Sequence, residues 1–381
     1  MTRFSRRSAY AADRNALSLA LGARRARGER VIDLTTSNPT TAGLHYDDHA
    51  IAAALANVAA MTYEPAALGL PQTRELIARY TQVDASRIVI TASTSEAYAF
   101  LFKALCDPGD HVLIPAPSYP LFDQLAGIEG VTLAPYRLAY DGAWHIDTPS
   151  IAKATSDRTR AIVAVSPNNP TGNVLTRGEL AAMQATKLPI ISDEVFAEYT
   201  FSSAADSVFC AAREAGESLV FSLGGLSKLA GLPQMKLGWI ALGGPDALVA
   251  EAIDRLEWIA DAFLSVAAPV QHALPALLAS GAVTRASISS RLARNLAALR
   301  ATLSGSPATV LSVEAGWYAM VRMPNTRTEE AWAMALLELG VYVHPGHFFD
   351  MESEPYLVLS LLTPEADWQQ GARVIGELSR T

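Results

Sequence analysis

Residues 221–239 read FSLGGLSKLAGLPQMKLGW and place Lys228 between glycines, a serine and leucines. Lysines normally lie on solvated faces, but this one is surrounded in sequence by leucines at positions 223, 226, 229, 232 and 237. A partly desolvated lysine has a lowered pKa, and the neutral amine is the form that adds to a carbonyl. The small neighbours would also let a bulky planar group approach the backbone. The alternative is an ordinary loop whose lysine reaches out to solvent.

Length, charge and cysteine content limit the class of protein. A chain of 381 residues exceeds the size at which one core keeps growing, which predicts two domains. A net charge of −8 argues against a nucleic-acid partner, because no dominant basic surface is indicated. The apolar tract at 264–283 is interrupted by prolines and polar residues, so a buried helix is expected there and no membrane span. Cys106 and Cys210 make no disulfide framework and no secretory signal is visible, which predicts a cytoplasmic protein.

Short apolar runs alternate with helical segments between residues 87 and 242. Seven of these runs are predicted strands, at 87–91, 111–114, 131–136, 161–165, 189–192, 219–223 and 238–242. The pattern is typical of an α/β fold with a mostly parallel seven-stranded sheet sandwiched by helices. In such sheets the ligand crevice lies outside the carboxyl ends of the strands.

The pattern changes after residue 283. A long helix at 288–303 is followed by predicted strands at 312–323, 341–344 and 356–361 and by helices at 329–339 and from 364. We therefore predict an N-terminal arm that is part of the small domain at 1–45, a large domain at 46–283 and a small α+β domain at 284–381.

Several motifs follow the predicted strands at the ends that would line a ligand crevice. Residues 93–95, Ser-Thr-Ser, open a helix and could bind a phosphate, although an ordinary N-cap has the same composition. Tyr119, between two prolines, could stack on a flat ring or be a surface tyrosine. Asn169 lies in the tight turn SPNNPTG at 166–172, and turns this specified at a strand end usually serve a site. Asp193 ends a buried strand, where a carboxylate is costly unless a cation pairs with it.

Other common sites are disfavoured. A strand that ends in Asp-Glu resembles a Walker B motif, but the chain has no Walker A loop. No Gly-x-Gly-x-x-Gly follows a strand, which disfavours a nicotinamide dehydrogenase. His45 and His49 are more often capping and surface residues, and His344 and His347 lie in a tight turn, so no metal site is predicted.

The favoured motifs together fit a ligand with a phosphate, a flat ring, a group needing an anionic partner, and a carbonyl. Pyridoxal 5′-phosphate (PLP) has all four. The chain resembles a fold-type I PLP-dependent enzyme of the class I/II aminotransferase family over essentially its whole length. The resemblance implies that Lys228, with Ser227 and Gly231 beside it, forms the Schiff base with the cofactor. It also implies that Asp193 pairs with the pyridine nitrogen and that residues 46–283 are the PLP-binding domain.

The same resemblance implies further contacts with the cofactor. Asn169 would donate to the phenolic oxygen of the ring, Tyr119 would stack on it, and Thr94 and Ser95 would bind the phosphate. Tyr63 would reach the phosphate of a second subunit, so a homodimer with shared active sites is expected. The implied substrates are small amines or amino acids and keto acids.

The sequence departs from the family pattern at several positions. Phe196 replaces a tyrosine that bonds the phenolic oxygen, Lys236 replaces an arginine on the phosphate, and Gly225 lacks the hydroxyl of a common serine. Val358 lies where an arginine should bind the substrate's α-carboxylate through two charge-assisted hydrogen bonds, worth about 1.5–3 kcal/mol each. Ser37 stands where the family often has a glycine near the substrate, and this also indicates an unusual substrate site. Either another cation holds the carboxylate or the substrate is not an ordinary α-amino acid.

Three functions remain open. An aminotransferase fits the complete set of cofactor residues best. Decarboxylation or β-elimination uses the same Schiff base and has no separate signature here. A PLP-binding protein without turnover would explain the departures, but the retained Lys228 argues against it.

Overall fold

The computed structural model describes residues 4–8, 15–201, 206–351 and 355–381. Its helices, numbered α1 to α12 in chain order, are Ala16–Ala26, Asp48–Leu55, Pro71–Thr81, Thr94–Leu105, Leu121–Glu129, Thr148–Ala154, Arg177–Gln184, Leu226–Leu229, Asp246–Asp261, Ala268–Leu303, Glu329–Glu338 and Glu365–Leu378. Its strands, numbered β1 to β14, are Ile32–Asp33, Ile88–Thr91, His111–Ala116, Thr132–Tyr140, Trp144–Ile146, Thr159–Val165, Ile190–Asp193, Val220–Gly225, Gly238–Gly243, Thr309–Val310, Tyr318–Arg322, Val341–Tyr342, His344–Pro345 and Tyr356–Ser360.

The large sheet has the strand order β2-β9-β8-β7-β6-β3-β4-β5. The strands from β8 to β4 pair in parallel, and β9 runs antiparallel to both β8 and β2. The predicted α/β class is confirmed, but the sheet has eight strands where seven were predicted. The reason is that β4 continues to Tyr140, beyond the predicted end at residue 136, and its extension pairs antiparallel with β5.

Helices cover both faces of this sheet. Ile240 and Leu242 of β9 pack into the apolar cluster that contains α4 and α9, whereas Trp239 and Ala241 pack against the start of α10. Successive side chains of a strand point to opposite faces, so a strand buried on both sides is apolar throughout. The six residues of β9 are accordingly all buried. The carboxyl ends of the parallel strands are left to form the crevice.

A smaller antiparallel sheet has the order β10-β11-β14-β13 and packs in one apolar cluster with residues of α10, α11 and α12. The N-terminal segment joins this region, because Ile32 pairs with Val341 and Asp33 with Tyr342 in a two-stranded parallel sheet. Helix α10 runs unbroken through the predicted boundary at 283/284. The division into domains at 1–45, 46–283 and 284–381 stays a prediction, and residues 1–3 and 9–14 of the arm lie outside the described part of the chain.

From residue 268 onward, the apolar tract predicted at 264–283 forms the beginning of α10, where Val270, Leu274 and Leu277 are buried; residues 264–267 precede the helix. No helix in the described ranges combines the length and the apolar character that crossing a membrane requires. The two cysteines, Cys106 and Cys210, are both free thiols.

Candidate active site

Lys228 lies on the short helix α8, directly after β8, with part of its side chain open to the crevice. Its Nζ atom is 4.6 Å from the ring centroid of Trp317 and 5.4 Å from that of Phe196. The Tyr199 hydroxyl donates to the Lys228 carbonyl oxygen at 2.6 Å and fixes the backbone. Burial lowers the pKa of Lys228 to about 8, although the nearby carboxylate of Asp193 opposes the shift. Roughly a tenth of the amine is therefore neutral at pH 7 and able to attack a carbonyl.

Asp193 ends β7 and points into the same crevice. Its Oδ2 accepts a hydrogen bond from the Tyr98 hydroxyl at 3.1 Å, and its Oδ1 accepts one from the Val195 N–H at 3.2 Å. Burial raises the pKa of Asp193 to about 6, while both hydrogen bonds and Lys228 act in the opposite direction. The carboxyl group is thus mostly ionised at pH 7, as a partner for a protonated ring nitrogen must be.

Tyr98 is a site residue that the sequence reasoning missed. It lies in the second turn of α4, is only 3% exposed, and packs edge-on against Phe122 with ring centroids 5.2 Å apart. A buried tyrosine hydroxyl usually has a hydrogen-bond partner. The signal was therefore a single tyrosine on an apolar helix face, but the partner, Asp193, is 95 residues away in sequence.

Glu194, next to Asp193, points away from this crevice. Its Oε1 accepts hydrogen bonds from the Ala211 N–H at 2.8 Å and the Ser222 hydroxyl at 2.7 Å. Burial raises its pKa to about 7. The two consecutive carboxyl groups therefore have different surroundings, and Asp193 is the one beside Lys228.

The first turn of α4 contains the residues that are predicted to bind a phosphate. Ser93 caps the helix, and the first backbone bond runs from the Ala97 N–H to the Ser93 carbonyl at 3.0 Å. The N–H groups of Thr94 and Ser95 lie before that bond and are oriented as an anion-binding helix terminus. Gly238 packs closely here, since a Cβ atom on it would be 3.1 Å from the carbonyl carbon of Ser93.

Asn169 and Tyr119 belong to two loops that contact each other. The Asn168 side chain donates to the Pro117 carbonyl at 3.1 Å and so links the turn at 166–172 to the loop of Tyr119. Asn169 is 5% exposed, and its Oδ1 has no partner among the described residues. Tyr119 is 45% exposed, and its pKa is raised by burial and by the neighbouring charge of Asp193. The atom without a partner is a hydrogen-bond acceptor, and a buried polar atom of this kind is typical of a ligand-binding site.

The remaining predicted cofactor-binding residues are Ser227, Lys236 and Tyr63. Ser227 is half-buried next to Lys228, and Lys236 is exposed, two residues before Gly238. Tyr63 is 79% exposed in a separate cleft of about 340 Å³ that is also lined by Phe100. The cofactor-binding roles of Ser227, Lys236 and Tyr63 stay predictions.

Two of the departures from the family pattern, Phe196 and Ser37, lie on the same side of the crevice. Phe196 is buried and packs against Trp317 at 5.4 Å and, edge-on, against Tyr318 at 6.3 Å between ring centroids. A side-chain hydrogen bond joins Tyr318 to Ser37. Burial raises the pKa of Tyr318, and the neighbouring phenol of Tyr119 acts in the same direction. We name these rings, Tyr119, Phe196, Trp317 and Tyr318, the aromatic wall.

Val358 lies behind this wall. It is 1% exposed in β14, where it pairs with Met320 and His344. It shares an apolar cluster with Met320 and Phe349, against which Tyr318 packs.

Within the described ranges, no group of three or more histidine, cysteine, aspartate or glutamate side chains could hold a metal ion.

Comparisons with solved structures agree with this fold. The structure matches an alanine aminotransferase from Pyrococcus furiosus with a TM-score of 0.87 at 22% identity, covering 99% of both chains. It matches an aminotransferase from Escherichia coli with a TM-score of 0.86 at 23% identity, covering 100% of this chain and 98% of that one.

The curated relatives found by sequence align with only part of the chain. The glutamate-pyruvate aminotransferase AlaA of Haemophilus influenzae is 28% identical over 261 residues, which span 66% of this chain and 64% of that protein. The S-alkyl-thiohydroximate lyase SUR1 of Arabidopsis thaliana is 31% identical over 230 residues, or 57% of this chain and 50% of the relative. The match thus spans less than two thirds of either relative. The family model for aminotransferase class I and II covers residues 29–375, and the chain therefore belongs to the class I and II aminotransferase family.

Proposed function

We propose that the protein is a PLP-dependent aminotransferase, which moves an amino group from an amine donor to a keto acceptor. The observation that supports this most strongly is the meeting of Lys228 and Asp193 at the ends of β8 and β7. A desolvated amine with a pKa of about 8 and a buried carboxylate are the two groups that PLP chemistry needs.

The other residues fit the remaining parts of the cofactor. The side-chain amide nitrogen of Asn169 can donate to the phenolic oxygen, the ring of Tyr119 suits stacking, and the N–H groups of Thr94 and Ser95 suit the phosphate. When bound, PLP supplies an electron-withdrawing ring. Asp193 would hold a proton on the ring nitrogen and so strengthen this electron withdrawal.

Lys228 has two tasks in the proposed reaction. Its neutral amine would hold the cofactor through the carbonyl carbon, and as a free amine the same nitrogen would take a proton from the substrate carbon and return one to the product. A general base works best when its pKa is near the working pH. The lowered pKa of Lys228, about 8, meets that condition.

We further propose a cytoplasmic homodimer in which Tyr63 completes the partner's site. Tyr63, Met61 and Val58 are 79%, 78% and 80% exposed in this chain, and such apolar exposure is expected where a second copy packs. We also propose that Ser227 and Lys236 contribute to binding the cofactor, as the family resemblance implies.

A lyase is the second candidate, because one relative of similar identity is named as a lyase. In a lyase, Lys228 and Asp193 would have the same roles as in an aminotransferase, and only the bond that breaks on the substrate would differ. We therefore separate the candidates by products.

The test uses purified protein loaded with PLP. Borohydride should trap PLP on Lys228, and adding amine donors should convert the cofactor to its pyridoxamine form in a single turnover. A Lys228→Ala variant should give neither signal. Release of ammonia or carbon dioxide without that conversion would favour elimination or decarboxylation. A colourless protein that gives no trapped adduct would overturn the proposal.

A further inference from the structure

The aromatic wall places uncharged groups beside the reacting nitrogen. Lys228 Nζ is 4.6 Å from the ring centroid of Trp317 and 5.4 Å from that of Phe196. Tyr318 continues the wall edge-on from Phe196, and Tyr119 approaches from the side of Asp193. A substrate bound at Lys228 must therefore place one substituent of its amine-bearing carbon against this wall.

Two polar groups of the wall have different surroundings: the Tyr318 hydroxyl shares a hydrogen bond with Ser37, whereas Trp317 Nε1 has no partner among the described residues. The segment before Ser37 is tied to β14, because the Ser360 N–H donates to the Leu34 carbonyl at 2.7 Å and the Ser360 hydroxyl donates to Thr36. This anchoring holds Ser37 over Tyr318, and the two hydroxyl-bearing side chains share a hydrogen bond. The pair offers a hydroxyl dipole to a substrate, but no positive charge.

A carboxylate against this wall would need a cation. The strand behind the wall carries Val358, which is buried in an apolar cluster. In the described ranges, Arg291 donates to the carbonyls of Ala42, Gly43 and Leu362, and Arg25 is paired with Asp33. Within those ranges, the amine of Lys228 lies over two rings of the wall, and the proposed reaction uses this amine.

We infer that the site takes primary amines, and the corresponding aldehydes or ketones, whose reacting carbon bears an apolar or aromatic group and no carboxylate. This inference rests on the proposed aminotransferase function. In such a reaction the carbon–nitrogen bond of one amine breaks, and the nitrogen with two electrons passes to the carbonyl carbon of the second substrate. One amine and one carbonyl compound are consumed and one of each is formed, so no further oxidant or reductant is needed.

Matched donor pairs test the inference on the wild-type holoenzyme. In single turnovers, 2-phenylethylamine should convert the cofactor at least about tenfold more efficiently than phenylalanine, since one unpaired charge-assisted contact changes a binding constant by that order. Ethylamine and alanine form a second pair without an aromatic ring. In binding titrations of the holoenzyme, 3-phenylpropanol should likewise bind at least about tenfold more tightly than 3-phenylpropionate.

A gain-of-function variant gives the matched control. Val358→Arg should improve the efficiency with phenylalanine relative to 2-phenylethylamine by about tenfold or more, because it adds a fork that binds carboxylates. Val358→Met has comparable length without the charge and is expected to keep the wild-type order of preference. The wild-type titrations do not depend on either variant folding.

The outcomes distinguish the two proposals. Equal or faster conversion of the amino acid in both donor pairs, with the carboxylate binding as tightly as the alcohol, overturns the inference and leaves the aminotransferase function standing. Failure of every amine and amino acid to convert a cofactor that borohydride traps on Lys228 overturns the aminotransferase function and the inference with it.

Discussion

Replacing Tyr98 by phenylalanine removes the hydroxyl that donates to Asp193 Oδ2 at 3.1 Å. The ring should keep its edge-on contact with Phe122, at 5.2 Å between centroids, so the packing of α4 is preserved. Asp193 retains one donor, the Val195 N–H. The variant should therefore change the ionisation of Asp193 while keeping the packing around it.

The size of the effect follows from the charge on the acceptor. A hydrogen bond to a charged group contributes about 1.5–3 kcal/mol, and one pKa unit corresponds to about 1.4 kcal/mol. Losing the bond should therefore raise the pKa of Asp193, which is about 6 in the wild type, by about 1–2 units. At pH 7 the carboxyl group would change from mostly ionised to at least half protonated, and its interaction with a protonated ring nitrogen would weaken.

The assay is the dissociation constant of PLP for the apoprotein, measured by fluorescence between about pH 5 and pH 9. On the acid side, wild-type affinity should fall as Asp193 becomes protonated. In Tyr98→Phe the same fall should begin at a pH higher by about 1–2 units. Holoenzyme activity should follow the shift, but the binding curve is the direct readout.

Tyr136→Phe is the matched control. Tyr136 is also almost fully buried, at 1% exposure, but its hydroxyl donates to a neutral group, the Val163 carbonyl, at 2.8 Å. Its loss should lower the free energy of unfolding by about 0.5–1.5 kcal/mol without moving the pH dependence of PLP binding. Superimposable binding curves for Tyr98→Phe and the wild type would refute the idea that Tyr98 sets the ionisation of Asp193.

Three further predictions concern neighbouring groups. Phe196→Tyr should lower the midpoint of the spectral pH titration of the Lys228 Schiff base by about one unit, since a hydroxyl would stabilise the phenolate; an equal or higher midpoint would contradict this. Aspartate and glutamate should be poor donors because Val358 cannot bind a carboxylate, and their rapid turnover would show that another cation does so. Burial lowers the pKa of Lys228 from 10.5 to about 8, so between these two pH values the unfolded chain binds a proton that the folded apoprotein does not. The contribution of Lys228 to the stability of the apoprotein should therefore increase as the pH rises from 8 to 10.5. We expect the free energy of unfolding of the wild type, minus that of Lys228→Met, to increase over this pH range when both are measured by denaturant titration. A difference that stays constant would contradict the lowered pKa.

The sequence alone determined the features that depend on neighbouring residues. The apolar surroundings of Lys228, the alternation of strands and helices, and the cap and first turn of α4 all follow from short-range patterns. Such patterns predict local structure because strand pleat, helix period and turn geometry repeat over a few residues. The family resemblance then related Lys228, Asp193 and Asn169 to a single ligand.

Tertiary structure decided which distant groups meet. The eighth strand exists because β4 is long enough to pair with β5 after a tight turn, and the sequence pattern had ended β4 too early. Tyr98 became the partner of Asp193 only when α4 packed over the end of β7. Likewise, the ring of Trp317, 89 positions after Lys228, came within 4.6 Å of its amine through the docking of the small sheet. These contacts depend on how whole elements pack, and packing is a property of side chains brought together from remote parts of the chain, which no local periodicity encodes.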